Sequence, residues 1–177
     1  MMRHQAYRKT MDHLLPDDLV AMAREVIEAN RKAGRRVAVA ESCTGGLVSA
    51  ALTEIPGSSD VFEAGYVTYS NAAKMAELNV CLDVVETFGA VSVATAWAMA
   101  QGCLEASGAD IAVAVTGIAG PDGGTEQKPV GTVVFARAER LPGPDQIVAD
   151  QKLFDAREGR SGIRRQATLC ALELLMP

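Results

Sequence analysis

The sequence predicts an α/β protein: a single three-layer α/β/α domain with a mixed, mostly parallel central sheet. Three observations carry the prediction. Helical and strand-like patterns alternate along the chain, as layered α/β architectures require. Ile111-Ala112-Val113-Ala114-Val115 is nearly all apolar, the pattern of a central strand buried on both faces. Two strand-like runs follow Gly124 with no helix between them, which calls for at least one antiparallel member. With 177 residues the chain is long enough to bury a full core as one domain, and it contains no internal repeat or linker.

Residues 1–14 lack periodicity and read as a mobile N-terminal extension ahead of a domain over 15–177. Pro16 is suited to open a helix, and Asp17 and Asp18 favour its first turn. Leu19, Met22, Ala23, Val26 and Ile27 share one face, and Gly34 stops the pattern. Arg36 to Ala40 reads as a buried strand, Thr44 to Thr53 as a helix, and Pro56 to Ser59 as a turn. Val61 to Tyr69 is rich in β-branched and aromatic residues and reads as a strand. Short helices are expected over Asn71–Glu77 and Leu82–Phe88, the second closed by Gly89. Ser92 is a good N-cap for a long helix from Val93 to Ser107, stopped at Gly108. After the strand at Ile111–Val115 comes the glycine-rich loop Thr116–Gly124. A strand at Val130–Ala136, a Pro/Gly turn, a weaker strand near Ile147–Phe154 and a last helix from Gly162 to Leu175 complete the chain.

The net charge of −5, with no basic block, argues against a nucleic-acid partner. An anionic small molecule remains compatible, because a local pocket can oppose the net charge. The four cysteines are widely spaced, no CxxC occurs, and there are two histidines, so neither a metal site nor a disulfide framework is expected. No apolar leader or bilayer-length run is present, so a cytoplasmic protein without membrane partners is expected. The sequence is compatible with a homo-oligomer.

Ala40-Glu41-Ser42-Cys43-Thr44-Gly45-Gly46 has the form of a nucleophile loop between a strand and a helix. That position is the carboxyl end of the sheet, where open α/β sheets bind ligands. The backbone N–H groups of Thr44, Gly45 and Gly46 open the helix, usable as an oxyanion hole or a phosphate cradle. The plainer alternative is that Ser42 and Thr44 only cap it. His4 and His13 both precede the first strong helical pattern, so a base for Ser42 must be another residue type. Tyr69-Ser70-Asn71-Ala72-Ala73-Lys74 offers a tyrosine and a lysine, and a desolvated neutral amine could take the hydroxyl proton. Against this, tyrosines pack at strand ends and most lysines are solvated. Cys43 is an alternative nucleophile whose pKa a helix N-terminus would lower, although a packing cysteine is commoner. Thr116, Gly117, Ile118, Ala119 and Gly120 begin a loop whose glycines allow backbone to approach a ligand. Lys128 could meet an anion or be an ordinary exposed lysine. Arg157, Arg160, Arg164 and Arg165 lie around the start of the last helix, where an arginine could fork onto a phosphate, while Arg164 and Arg165 read as a solvated face.

Together these segments resemble the CinA C-terminal domain family, whose enzyme members are nicotinamide-nucleotide amidohydrolases. The matching stretches are Ala40 to Gly46, Pro56-Gly57-Ser58-Ser59, Val67 to Lys74, Gly89-Ala90-Val91-Ser92, Thr116 to Gly124 and Lys128 to Val133. The resemblance covers residues 17–175. It implies deamidation of nicotinamide mononucleotide to nicotinic acid mononucleotide and ammonia, without cofactor or metal, in pyridine nucleotide salvage. It implies Ser42 as nucleophile, Lys74 as general base, Tyr69 as a hydrogen-bonding proton shuttle, and substrate binding by the loop from Thr116. The family commonly has a tight Gly-Asp-Arg segment before the last helix, where this chain reads Phe154-Asp155-Ala156-Arg157-Glu158-Gly159-Arg160. The rival reading is a non-catalytic nucleotide-binding or competence-associated module.

Overall fold

In a computed structural model that describes residues 12–140 and 148–177, the first helix, α1, spans Asp17–Ala33. Pro16 precedes it, Asp17 and Asp18 lie in its first turn, and Gly34 closes it in the left-handed region at φ 65°. Strand β1 is Val37–Glu41, helix α2 Leu47–Thr53, and strand β2 Phe62–Val67. Helices α3 (Asn71–Leu78), α4 (Leu82–Phe88) and α5 (Val93–Ser107) follow. Ser92 caps α5 by accepting from the Thr95 N–H, and Gly108 ends it at φ 71°. Strands β3 (Ile111–Gly117), β4 (Thr132–Glu139) and β5 (Val148–Leu153) lead to α6 (Gly159–Leu174). The expected extension over 1–14 and the turn between β4 and β5 fall largely on residues outside this description. Within it, the Leu14 N–H donates to Glu54 Oε1 at 3.0 Å.

The five strands form one sheet in the order β2-β1-β3-β4-β5. β1 pairs parallel to both β2 and β3, while β4 is antiparallel to β3 and to β5. Four strands therefore run one way and β4 alone opposes them. Helices α1, α2 and α6 pack together on one face, and α3, α4 and α5 on the other, giving the three layers. The central strands alternate in size rather than polarity. Val37, Val39, Ile111, Val113, Val115, Val133 and Phe135 face α1, α2 and α6. Ala38, Ala40, Ala112, Ala114, Ala136 and Ala138 face α5. Apart from Val134 and the partly buried Tyr66, the strands offer α5 only methyl groups. Gly102 in turn admits α3 onto α5, since a Cβ there would collide with the Leu78 carbonyl.

Helix α2 starts at Leu47, three residues later than the composition suggests. Gly45 and Gly46 take positive φ, 60° and 96°, so residues 42–46 form a turned loop rather than a first helical turn. Helix α6 starts earlier than expected, at Gly159, after a 3-10 turn at Ala156–Glu158.

Candidate active site

Ser42 follows the last residue of β1, the strand between β2 and β3, so the carboxyl ends of three parallel strands meet around it. They form a cleft of about 210 Å³ lined by Ser42, Cys43, Tyr69, Asn71, Lys74, Ala90, Val91, Thr116, Gly117, Ala119 and Arg160. The cleft unites the loop after β1, the end of β2, α3, the approach to α5, the end of β3 and the start of α6.

Lys74 is 1% exposed and Ser42 8% exposed. Lys74 Nζ lies 3.0 Å from Ser42 Oγ and donates to the Thr68 carbonyl at 2.8 Å. Ser70 caps α3 through the Ala73 N–H, and the helix aims its fourth residue back under β1. Burial lowers the Lys74 pKa below the ordinary 10.5, because a charged ammonium loses its hydration there. This arrangement favours the neutral amine that a serine hydroxyl needs as a proton acceptor.

Tyr69 is placed differently, at 59% exposure. Its hydroxyl accepts from Arg160 at 2.8 Å, and Arg160 also donates to the Gly120 carbonyl at 2.8 Å. Arg160 thus bridges the β2 end and the glycine-rich loop across the mouth of the cleft. The displaced acidic residue before α6 is taken up locally: Asp155 accepts from the Arg157 backbone and guanidinium. The lining carries the Arg160 guanidinium and no carboxylate, so an acidic protein presents a cleft without negative charge.

Cys43 touches the cleft but is packed into the core, and burial pushes its thiol up to about 11. The expected lowering by a helix N-terminus does not occur, because α2 begins four residues later and desolvation dominates. Thr44 is fully buried, and its hydroxyl donates to Glu41 at 2.7 Å. Gly45 and Gly46 stand outside the lining, as do Ile118 and Gly120. The Thr116 hydroxyl is committed to the Ala90 carbonyl at 2.9 Å. Gly117 lines the cleft, but a Cβ there would stand 2.8 Å from the Thr132 carbonyl and from Val133 Cγ2. Packing against β4 therefore requires this glycine, apart from any ligand. Lys128 donates to the Phe88 carbonyl at 3.0 Å and does not line the cleft.

Two residues support the loop in a role the sequence reading did not give them. The Glu41 side chain is fully buried and takes five hydrogen bonds from residues 44–49. The carboxylate itself thus occupies the N-terminus of α2, and neither Ser42 nor Thr44 caps it. Arg164 does not belong to a solvated face: it donates to the Cys43 and Thr44 carbonyls at 3.1 and 2.8 Å. Arg165 does, pairing with Asp18 at the surface. A carboxylate just before Ser-x-Thr-Gly-Gly was the available signal for Glu41; Arg164 gave none.

The CinA C-terminal domain model matches residues 19–177. A nicotinamide-nucleotide amidohydrolase, PncC, of Pseudomonas putida is 44% identical over 160 residues, covering 90% of this chain and 96% of that protein. A CinA-like protein of Parasynechococcus marenigrum is 42% identical over 168 residues, 95% of this chain. The chain spans 34–39% of the length of that protein and three similar curated relatives. The crystal structure of the competence/damage inducible protein CihA from Agrobacterium tumefaciens superposes with a TM-score of 0.86 at 46% identity, covering 92% of this chain and 96% of that one.

Proposed function

The chain belongs to the CinA C-terminal domain family, and on that premise we propose that it hydrolyses the carboxamide of nicotinamide mononucleotide, yielding nicotinic acid mononucleotide and ammonia. The observation that carries this reading is the buried Lys74 amine 3.0 Å from the Ser42 hydroxyl. In the proposed reaction, neutral Lys74 accepts the Ser42 proton as Oγ attacks the carboxamide carbon. The tetrahedral oxyanion is stabilised by backbone N–H donors. Collapse expels ammonia, which takes its proton from the Lys74 ammonium, and leaves an ester on Ser42. Water, deprotonated by Lys74, then hydrolyses the ester and frees the carboxylate. Tyr69 serves as a proton shuttle at the cleft mouth. Arg160, beside it, suits the phosphate of a mononucleotide, since a guanidinium forks onto phosphate oxygens. Thr116 and Gly117 supply the opposite wall. Arg160 and the absence of a carboxylate from the lining support an anionic substrate despite the chain's net charge of −5.

The test is ammonia release from nicotinamide mononucleotide by the purified protein, with nicotinamide alone as the comparison. Turnover of the nucleotide is expected. Tight binding without ammonia would replace the enzyme with the non-catalytic nucleotide-binding module.

A further inference from the structure

We propose that Glu41 and Arg164 are positioning residues that grip the Ser42 loop and hold its hydroxyl against Lys74. This rests on Ser42 being the nucleophile. The grip is read from the donors of residues 42–49, taken one at a time. The Ser42 N–H donates to the Val115 carbonyl at 2.9 Å, and the Gly45 N–H to the Ser42 carbonyl at 3.0 Å. The N–H groups of Gly46, Val48 and Ser49 donate to the Glu41 carboxylate at 2.9, 3.2 and 2.8 Å. The hydroxyls of Thr44 and Ser49 donate to the same carboxylate, each at 2.7 Å. The Leu47 N–H donates to the Thr44 carbonyl at 3.4 Å. Among the described residues of this segment, the Thr44 N–H donates to none of these partners, and the Cys43 N–H meets only its own thiol sulfur. Arg164 holds the carbonyls of these same two residues from α6. The Cys43 carbonyl shares its peptide plane with the Thr44 N–H, so Arg164 fixes the direction of that donor, while the Cys43 N–H shares a plane with the Ser42 carbonyl, which the Gly45 N–H holds.

A buried carboxylate that accepts five bonds satisfies its charge without a cation. It also fills the anion-binding end of α2, so a substrate phosphate has no place there. Glu41 is therefore the loop's internal anion, and it stands outside the cleft lining.

Two readouts test this. One is deamidation of nicotinamide mononucleotide; the other is the rate at which a fluorophosphonate labels Ser42, followed by intact mass. Phosphonylation needs the same nucleophile and oxyanion donors but no nucleotide recognition. In Glu41→Gln and Arg164→Met, kcat and labelling should fall together by about 10- to 100-fold, the scale of small misplacements of reacting groups. KM should stay within about threefold, and the pH at which activity rises should not move, because the base Lys74 is untouched. Wild-type labelling and kcat in folded Glu41→Gln would overturn the proposal. So would loss of the pH dependence, which would make Glu41 the base. If Glu41→Gln does not fold, Thr44→Val and Ser49→Ala each remove one hydroxyl donor; kcat should fall several-fold at constant KM, and unchanged kcat in both would overturn the grip. The two readings fail separately. A wild-type protein that labels at Ser42 without releasing ammonia loses the assigned substrate and keeps a testable grip. One that does neither loses the nucleophile.

Discussion

A lysine amine placed 3.0 Å from a serine hydroxyl and almost wholly out of water works against the fold when it is charged. Its pKa is lower in the folded protein than in the unfolded chain, so the unfolded chain binds the proton more tightly. Stability then rises with pH between the folded-state value and the ordinary 10.5. Lys74→Met should therefore be more stable than wild type at neutral pH, with the gap narrowing as pH rises, measured by denaturant melts across pH. The same variant should lose activity by two to three orders of magnitude, on the order of 10²–10³-fold as for a lost general base. Lys74→Arg should fail as well, because a guanidinium stays protonated. Near-normal turnover in Lys74→Arg would leave the lysine a binding residue only. Ser42→Ala should abolish turnover while Cys43→Ala keeps most of it, since a thiol pushed up to about 11 is not a thiolate at neutral pH.

Among the elements, α3 decides where that amine sits, and α3 is located by its contact with α5. Gly102→Ala would force the Leu78 carbonyl away and carry α3 with it. The expected cost is about 1–3 kcal/mol of stability, as for other overpacked sites. A drop in kcat beyond what unfolding explains should accompany it; an unfolding midpoint equal to wild type would show that α3 does not rest on that glycine. The boundaries of α4 and α5 were legible in the sequence because local chemistry sets them: Ser92 caps, and Gly89 and Gly108 stop. The start of α2 was not, because it is set by a carboxylate folding back from β1 rather than by a residue at the helix end. Arg164 was illegible for a related reason. Its partners are backbone carbonyls more than a hundred residues away, and a carbonyl leaves no trace in side-chain pattern.

For the whole molecule, the topology brings together a serine, a lysine and an arginine that stand far apart in sequence, by placing β1 between β2 and β3. The pairing of Ser42 with Lys74 could be anticipated from the lack of a histidine after His13; the exposed position of Tyr69 and its bond to Arg160 required the fold. Because the proposed proton acceptor is an amine, and no three metal-ligating side chains cluster among the described residues, ammonia release should persist in excess EDTA. Activity lost to chelation and restored by a divalent cation would overturn the mechanism. The alanine-lined face of the sheet has a further consequence, for mutational drift. Behind α1, α2 and α6, exchange between isoleucine and leucine conserves volume, and trimming isoleucine to valine costs about 0.5–1.5 kcal/mol, so both should be tolerated. Behind α5 every enlargement of Ala38, Ala40, Ala112 or Ala114 pushes on a helix with nowhere to go. In a pooled library of single substitutions selected for abundance, conservative aliphatic changes should survive on the first face and vanish on the second, although both faces are equally dry.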